Sequence, residues 1–180
     1  MYIIFIEGGQ EINPPIYQMK YNVKKQETND ILLLEEFNNQ VSWFRGEISA
    51  TTDGTSHDAE AYDKKGRKTI IEHKQRKGNT DLYIHKYGTV LVEPLKIAHM
   101  SKLQAVSGHS INQQRLYINY TDDGVIVFNM NERHHMEYYP NHHHYDPIEG
   151  CYKDEDRIGI PVDEAIIYIK QNGKYIRYEG

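Results

Sequence analysis

The stretch HDAEAYDKKGRKTIIEHKQRK, from His57 to Lys77, decides the fold of this chain. Tyr, Thr and Ile favour strands, whereas Asp-Lys-Lys-Gly-Arg favours a turn. The pattern predicts a hairpin with strands over residues 59–63 and 68–76.

Side chains of a strand point alternately to its two faces. One face of the second predicted strand carries Ile70, Glu72, Lys74 and Arg76, and the other carries Ile71, His73 and Gln75. An acid and a lysine therefore lie on the same face, near the end of an otherwise apolar strand, where the strand leaves the core and meets solvent. Catalytic groups are often placed at such positions.

The residues of this hairpin suit metal-assisted hydrolysis of a phosphodiester. Asp58 and Glu72 offer two carboxylates from adjacent strands, which a hard cation such as Mg²⁺ prefers, and the main-chain carbonyl of His73 offers a third oxygen. Such a cation polarises a phosphate oxygen and lowers the pKa of water. Lys74 can hold that water or stabilise the negative charge of the transition state.

The motif formed by Asp58, thirteen further residues and Glu72-x-Lys74 resembles the PD-(D/E)xK nuclease superfamily. This family includes many restriction enzymes, Holliday-junction resolvases and phage nucleases. The resemblance implies that Asp58 and Glu72 bind Mg²⁺ or Mn²⁺ and that Lys74 assists the attacking water. It also implies cleavage of DNA to 5′-phosphate and 3′-hydroxyl ends. His57 stands where the family pattern has proline, a position that varies within the family.

The resemblance further implies an α+β (α/β) fold with a restriction-endonuclease-like αβββαβ core and a mixed sheet. We expect one domain over 1–180, because 180 residues are too few for two ordinary domains. Its nuclease-like core is expected over residues 28–130. The remaining parts are an accessory hairpin over 1–27, an irregular His-rich loop over 131–160 and a C-terminal hairpin over 161–180.

Local patterns place the other elements. Turn residues and alternation predict that a strand over 1–9 pairs with 16–23, and that a helix begins near Thr28 or Asp30. An extended pair is predicted over 82–84 and 89–93. A helix is predicted from Pro94 to Gly108, with four buried residues, Ile97, Met100, Leu103 and Val106. Two further hairpins are predicted, one over 115–121 and 125–130 and the other over 166–169 and 174–178.

Related nucleases often take a further acid from the first core helix. Glu36 is the candidate here, with Glu35 and Glu47 as alternatives. Glu35 and Glu36 lie off the apolar stripe of the helix, so a solvated surface role stays open for both. Asp53, in the Thr-rich segment before the hairpin, is an alternative to Asp58.

Basic residues gather around the hairpin although the net charge of the chain is −5. Affinity for a phosphate backbone depends on local charge. Seven Lys or Arg fall within 64–77, against the single acid Glu72. The residues predicted to contact nucleic acid are Lys64, Lys65, Arg67, Arg76, Lys77 and, near the second helix, Lys96. A solvated turn is the alternative for Lys64 and Lys65, and an ion pair is the alternative for Lys96.

Composition indicates the cellular location and the partners to be expected of the protein. The chain has no long apolar run, no signal-peptide pattern and a single cysteine, Cys151. We therefore expect a cytoplasmic protein with DNA as its partner and no membrane association. Phage or mobile-element origin fits the resemblance, and so does a homodimer, since many members of the family cut two strands as dimers.

Two other functions stay open. One is a nuclease-like fold that binds nucleic acid or protein without cutting, which the acidic net charge favours. The other is a metal-binding or pH-sensing protein, because five histidines fall in the predicted loop. Consecutive histidines of an extended chain point in opposite directions, so only alternate members can share one ion. The histidines in question are His134, His135, His142, His143 and His144.

Overall fold

The computed structural model describes residues 6–7, 10–11, 16–51, 57–98, 100, 113–146 and 151–180. Two short strands, β1 (Ile6–Glu7) and β2 (Gln10–Glu11), precede the long helix α1 (Ile16–Val41). The later strands are β3 (Phe44–Ala50), β4 (Ala59–Asp63), β5 (Lys68–Gln75), β6 (Thr89–Val92), β7 (Gln114–Tyr120), β8 (Gly124–Asn129), β9 (Glu137–Asp146), β10 (Cys151–Pro161), β11 (Ile166–Gln171) and β12 (Lys174–Arg177). Among the described helices, none is long and apolar enough to cross a membrane.

A seven-stranded mixed sheet forms the middle layer, in the order β12-β11-β8-β7-β5-β4-β3. Its one parallel pair is β5 with β7, and the other neighbours run antiparallel. The parallel pair requires a crossover between β5 and β7, and its described part, which includes β6 and Ile97, packs on one face of the sheet. The predicted α+β class with a mixed sheet is therefore confirmed.

Each face of this sheet is covered by a different layer. Leu34 and Phe37 of α1 pack on one face, against a core that includes Ile71 and Ile118. The opposite face, which includes Tyr117 of β7, packs on a three-stranded antiparallel sheet ordered β6-β10-β9. This arrangement follows from strand alternation, because neighbouring residues such as Tyr117 and Ile118 enter different cores.

The three hairpins predicted within the sheet are confirmed. Ala59 pairs with Ile71 in the β4–β5 hairpin, although β5 ends at Gln75, one residue before the predicted end. The β7–β8 and β11–β12 hairpins also form. In the last of these, Asn172 and Gly173 both have positive φ, 50° and 77°, as a tight type I′ turn requires.

The prediction of a strand over 16–23 is wrong, because these residues open helix α1. The described part of β1 pairs instead with β2, through Ile6 with Glu11. Ile16, Met19 and Val23 fit helical spacing as well as alternation, and short apolar runs are ambiguous in this respect. No Gly or Pro occurs within 16–41, so the helix continues through the polar segment that follows and starts well before Asp30.

The segment after β5 also differs from the predicted extended pair. Leu82–Tyr87 forms a π-helical segment, and the strand β6 that follows pairs with β10. The rings of Tyr83 and Tyr87 make an edge-to-face contact, with their centroids 5.3 Å apart. These residues are four positions apart in the chain, a spacing that a helical segment brings together. Gly88, with a φ of 67°, ends the segment.

Residues 94–98 and 100 are helical, which agrees with the helix predicted from Pro94. Ile97 packs against the second core and Met100 is buried, as predicted. Leu103, Val106 and Gly108 lie outside the described residues.

The predicted irregular loop over 131–160 is wrong, because β9 and β10 form a long antiparallel hairpin within it. Much of this hairpin is exposed on both faces, so its sequence lacks the apolar alternation by which strands are predicted. Pro140 lies within β9, which is the edge strand of its sheet, where a residue without an N–H is tolerated.

Candidate active site

Asp58 directly precedes β4, and two hydrogen bonds fix it to the neighbouring strand β5. Its N–H donates to the carbonyl of Ile71 at 3.0 Å, and its carboxylate accepts the N–H of His73 at 2.9 Å. The side chain is 34% exposed, so the carboxylate lies at the boundary between the sheet and solvent. The N–H and C=O of one strand residue point to the same side, so the His73 carbonyl also faces the side on which Asp58 lies.

Glu72 is a buried carboxylate on the central strand β5, only 4% exposed. Its Oε1 lies 2.7 Å from the Nζ of Lys96. Its Oε2 is buried and has no hydrogen-bond partner among the residues that the structure describes. A buried oxygen of this kind is costly unless something pairs with it, so this atom marks the site as one suited to a cation or a proton.

Burial and the nearby charge of Asp58 raise the pKa of Glu72 to about 7. The hydrogen bond from Lys96 lowers the pKa, but by less than burial raises it. The influence of Asp58 means that the two carboxylates lie close enough to repel one another. Glu72 therefore lies near the midpoint of its titration at neutral pH.

Two lysines and a further acid surround this pair. Lys74 follows Glu72 on the same face of β5, is 53% exposed and has its Nζ 3.7 Å from the Oε1 of Glu93. Burial lowers the pKa of Lys96, but the hydrogen bond and charge of Glu72 raise it overall. Lys96 belongs to the helical segment 94–98 and Glu93 directly precedes it, so the crossover brings both residues over β5.

Asp30 of α1 approaches the same region from the opposite face of the sheet. It accepts a hydrogen bond from the side chain of Gln75, the last residue of β5. Burial raises its pKa, and the charge of Asp58 raises it further. Burial lowers the pKa of His73. The nearby charges of Asp58 and Asp30 act to raise that pKa, but by less than burial lowers it.

The structure does not bring the predicted helix acids to this site. Glu36 lies 2.5 Å from the Nζ of Lys170 on β11, three strands away from β5. Glu35 is exposed on α1, and Glu47 is exposed on the edge strand β3, with β4 between it and β5. Asp53 lies outside the described residues.

The predicted basic cluster is divided between the two ends of the hairpin. Lys64, Lys65 and Arg67 belong to the β4–β5 turn, whereas Asp58 precedes the opposite end of β4. Four residue steps of about 3.3 Å separate the ends of β4, so the turn lies about 13 Å or more from Asp58. Arg67 is also engaged by Asp63, with its Nε 2.6 Å from the carboxylate.

The guanidinium of Arg76, which was predicted to contact nucleic acid, is used inside the protein. It donates to the side chain of Asn119 at 2.9 Å, the hydroxyl of Tyr117 at 2.8 Å and the carbonyl of Leu91 at 2.6 Å. Arg76 thereby ties β6, in the smaller sheet, to β7 in the larger one. Lys77, the next residue, is exposed.

Asp30 is a site residue for which the sequence predicted another role. Asp30 was expected to cap the helix, but α1 begins at Ile16 and Asp30 lies in its interior. Asp30, Leu34, Phe37 and Val41 follow one another at steps of four, three and four residues, which places Asp30 on the sheet-facing stripe of the helix. This spacing is the sequence signal by which its position could have been predicted. Lys96 adopts the ion pair considered as its alternative, with Glu72 as partner.

The donor set fits a hard divalent cation only in part. Within the described ranges, no three His, Cys, Asp or Glu side chains are grouped so that they could hold a metal ion. Mg²⁺ is often bound through one or two carboxylates and keeps several waters. The carboxylates of Asp58 and Glu72 and the carbonyl of His73 are therefore oxygen ligands of the type that Mg²⁺ takes. The unpaired Oε2 of Glu72 is the atom that such an ion would satisfy.

No protein-family model and no curated protein matches this chain. The chemistry of the site therefore carries the argument for function.

Proposed function

We propose that this protein is a Mg²⁺- or Mn²⁺-dependent nuclease that hydrolyses phosphodiester bonds of DNA, with a site of the PD-(D/E)xK type. The observation that carries the proposal is Glu72. It is a buried carboxylate on a central strand, beside a second carboxylate, with one oxygen on a lysine and the other oxygen unpaired within the described residues. Burying such a group does not stabilise a fold, so a functional role explains the burial of Glu72 better than a structural role does.

The order of elements supports the proposal. Helix α1, strands β3, β4 and β5, the helical segment 94–98 and strand β7 occur in this order in the chain, with the π-helical segment and β6 inserted after β5, and β7 lies parallel to β5. Apart from that insertion, this is the order α, β, β, β, α, β that the resemblance implies. Asp58 and Glu72 occupy the second and third of those strands or their ends, as the motif requires.

Asp58, Glu72 and the main-chain carbonyl of His73 would hold the ion. The chemistry supplied by such an ion is polarisation of the phosphate and a lower pKa for water. Asp58 is fixed for this task by the N–H of His73, which donates to its carboxylate at 2.9 Å. Asp30 takes the place that the resemblance gives to an acid of the first helix.

The two lysines have different tasks. The exposed ammonium of Lys74 faces solvent beside Glu72 and is the group that positions the attacking water and stabilises developing negative charge. The Lys96 ammonium, bound to Glu72 at 2.7 Å, favours the ionised form of that carboxyl. Lys74 therefore acts on the substrate, and Lys96 acts through Glu72.

The exposed Lys64 and Lys65 serve binding and not chemistry. They lie about 13 Å or more from Asp58, a distance of about four base pairs at 3.4 Å each. DNA that lies along the β4–β5 hairpin places its scissile phosphate at Asp58 and a more distant phosphate at the turn. Replacement of these lysines weakens binding without changing the rate at saturating DNA.

The test is DNA cleavage by purified protein with Mg²⁺ or Mn²⁺ on duplex, single-stranded and branched substrates. We expect Glu72→Gln and Lys74→Met each to lower the cleavage rate by about a hundredfold or more, as the loss of a catalytic group does. Glu47→Gln and Lys174→Met are matched controls, because both residues are exposed on strands away from the site, and they should cut like the wild type. Equal cutting by Glu72→Gln and the wild type would exclude the proposal.

A second candidate is a nuclease-like fold that binds DNA without cutting it. The limited donor set favours it, since no three His, Cys, Asp or Glu side chains of the described residues are grouped so that they could hold a metal ion. Salt-sensitive DNA binding with no cleavage under any divalent ion supports this second function. Cleavage that Glu72→Gln abolishes excludes it.

A further inference from the structure

A cavity of about 220 Å³ opens where the end of α1 meets the turn of the β4–β5 hairpin. We call it the turn cavity, and the residues that line it include Ser42, Trp43, Asp63, Lys64, Lys65 and Gln114.

The turn cavity is separate from the candidate active site. Ala61 and Leu116 belong to the core beneath α1. Asp63 and Gln114 lie two residues from them on the same strands, so the cavity is on the face of the sheet that α1 covers. Glu72 faces the other side of the sheet, because its neighbour Ile71 also belongs to the core beneath α1.

Hydrogen bonds fix both walls of the cavity. At the helix end, the N–H of Ser42 donates to the carbonyl of Asn38 and the N–H of Phe44 donates to its Oδ1, each at 2.7 Å. Ser42 has a φ of 56°, in the left-handed region that few residues other than glycine adopt. Residues held in this region are frequent at ligand sites, where the surrounding structure maintains them.

The turn that forms the opposite wall is organised by Asp63. Its Oδ1 accepts the N–H groups of Lys65 and Arg67, each at 2.8 Å, and its Oδ2 lies 2.6 Å from the Nε of Arg67. The guanidinium of Arg67 therefore neutralises the buried carboxylate of Asp63. Because both walls are arranged in advance, a ligand orders little of the protein when it binds.

Trp43 supplies an aromatic surface to the cavity. Its indole is partly buried, and the rings of Phe37 and Tyr168 hold it through edge-to-face contacts, with centroids at 5.7 Å and 6.0 Å. Nucleobases stack on aromatic side chains of this kind, whatever their sequence. The side-chain amide of Gln114 adds hydrogen-bond donors and an acceptor that suit the edge of a base.

Two ammonium groups border the same cavity. Lys64 and Lys65 are exposed, and neither makes an ion pair with a residue in the described part of the chain. Their neighbour Lys68, by contrast, pairs with Glu60 at 2.7 Å. The C-terminus of α1 carries partial negative charge, so an anion is favoured on the lysine side of the cavity.

We propose that the turn cavity binds one unpaired nucleotide, with its base on Trp43 and its phosphate on Lys64 and Lys65. The cavity is smaller than the roughly 300–1,000 Å³ of sites for drug-sized ligands, which suits a single base. A paired base inside a duplex is stacked on both sides and does not reach the indole. The proposal shares with the nuclease function only the contact of the two lysines with DNA.

The fluorescence of Trp43 reports the cavity directly, because the chain has a single tryptophan. The experiment is titration of the whole protein with deoxyadenosine monophosphate in EDTA, so that no divalent ion supports cleavage. We expect saturable quenching of the tryptophan emission. Inorganic phosphate at the same concentrations lacks a base and should leave the emission unchanged.

The double variant Lys64→Met with Lys65→Met should bind the nucleotide about tenfold more weakly or less, since hydrogen bonds to charged groups contribute that factor. Both residues are exposed, so the fold is retained. Lys174→Met, exposed on β12, is the matched control and should bind as the wild type does. Trp43→Leu, measured by calorimetry, should lose about 5–150-fold in affinity, the contribution of one stacked base.

Oligonucleotides distinguish the two sources of such a nucleotide. Quenching by a single-stranded oligodeoxynucleotide as well as by the mononucleotide assigns the site to DNA, and quenching by the mononucleotide alone assigns it to free nucleotides. Three results overturn the proposal: no saturable quenching by either, equal quenching by a blunt duplex or by inorganic phosphate, or wild-type affinity in the double lysine variant. None of these readouts depends on DNA cleavage.

Discussion

The ammonium of Lys96 lies 2.7 Å from the Oε1 of Glu72, yet burial keeps the pKa of that carboxyl raised to about 7. The ion pair is not strong enough to offset the loss of solvent and the repulsion from Asp58. A group in this condition binds either a proton or another cation at neutral pH. The relation between these two residues gives rise to the first two predictions.

The pH dependence of stability should contain a contribution from Glu72. Its pKa is 4.5 in the unfolded chain and about 7 in the fold, so the folded state binds more protons between these values. The stabilisation is complete below pH 4.5 and is lost as the pH rises through about 7. A rise of this size corresponds to about 3 kcal/mol as an upper bound.

Urea denaturation of the wild type and Glu72→Gln at pH 5 and pH 8 measures this contribution. The free energy of unfolding should fall more steeply with pH in the wild type, because the glutamine does not titrate. Glu47→Gln, at an exposed position on β3, should retain the wild-type slope. Parallel curves for the wild type and Glu72→Gln would show that Glu72 ionises normally.

Lys96→Met and Asp58→Asn should move the titration of Glu72 in opposite directions. The hydrogen bond and charge of Lys96 lower the pKa of Glu72, and the charge of Asp58 raises it. Removal of the lysine should therefore raise the pKa, and removal of the acid should lower it. Carbon-detected NMR of the Glu side chains measures both shifts, and movement in the same direction would rule out the assigned arrangement.

Arg76→Met should destabilise the fold by about 2–4 kcal/mol, since hydrogen bonds to charged groups contribute about 1.5–3 kcal/mol each. The substitution leaves the hydroxyl of Tyr117 and the carbonyl of Leu91 without their donor and loosens the two sheets. Chemical denaturation gives the loss, with the exposed neighbour variant Lys77→Met as control. Equal stability of the two variants would mean that Arg76 does not join the sheets.

Gly124→Ala should cost about 1–3 kcal/mol or more, the usual penalty for overpacking. An added Cβ would lie 2.4 Å from the Oγ1 of Thr80 and 2.4 Å from the carbonyl of Tyr168. Gly66→Ala meets no atom within 4 Å and carries only the strain of a φ of 76°, so its loss should be smaller. Thermal unfolding of both variants compares them, and a larger loss for Gly66→Ala would contradict the close packing at Gly124.

Sequence periodicity was sufficient for the central sheet. The alternation of β5 predicted that Glu72 and Lys74 share one face and that His73 lies on the other, and the contacts of Glu72 with Lys96 and of Gln75 with α1 agree. Hairpins with Asp-Gly or Asn-Gly turns were predicted for the same reason, since their signals are local. The start of α1 at Ile16 was missed because a short apolar run fits two periods.

The rest of the site depends on contacts that no local pattern specifies. Lys96 and Glu72 are far apart in the chain and meet only because the crossover returns over β5. Glu36 and Lys170 meet in the same way, through the position of β11. The β9–β10 hairpin was read as a loop because strands that are exposed on both faces carry no apolar alternation.

The central claim is that Asp58 and Glu72 share one divalent cation. Anomalous X-ray scattering from crystals of this protein grown with Mn²⁺ tests it most directly. We predict a peak within bonding distance of both carboxylates, about 2.0–2.6 Å as for oxygen ligands of hard cations, which is lost in Glu72→Gln. Peaks confined to other parts of the protein, or none beside Glu72 at saturating Mn²⁺, would contradict it.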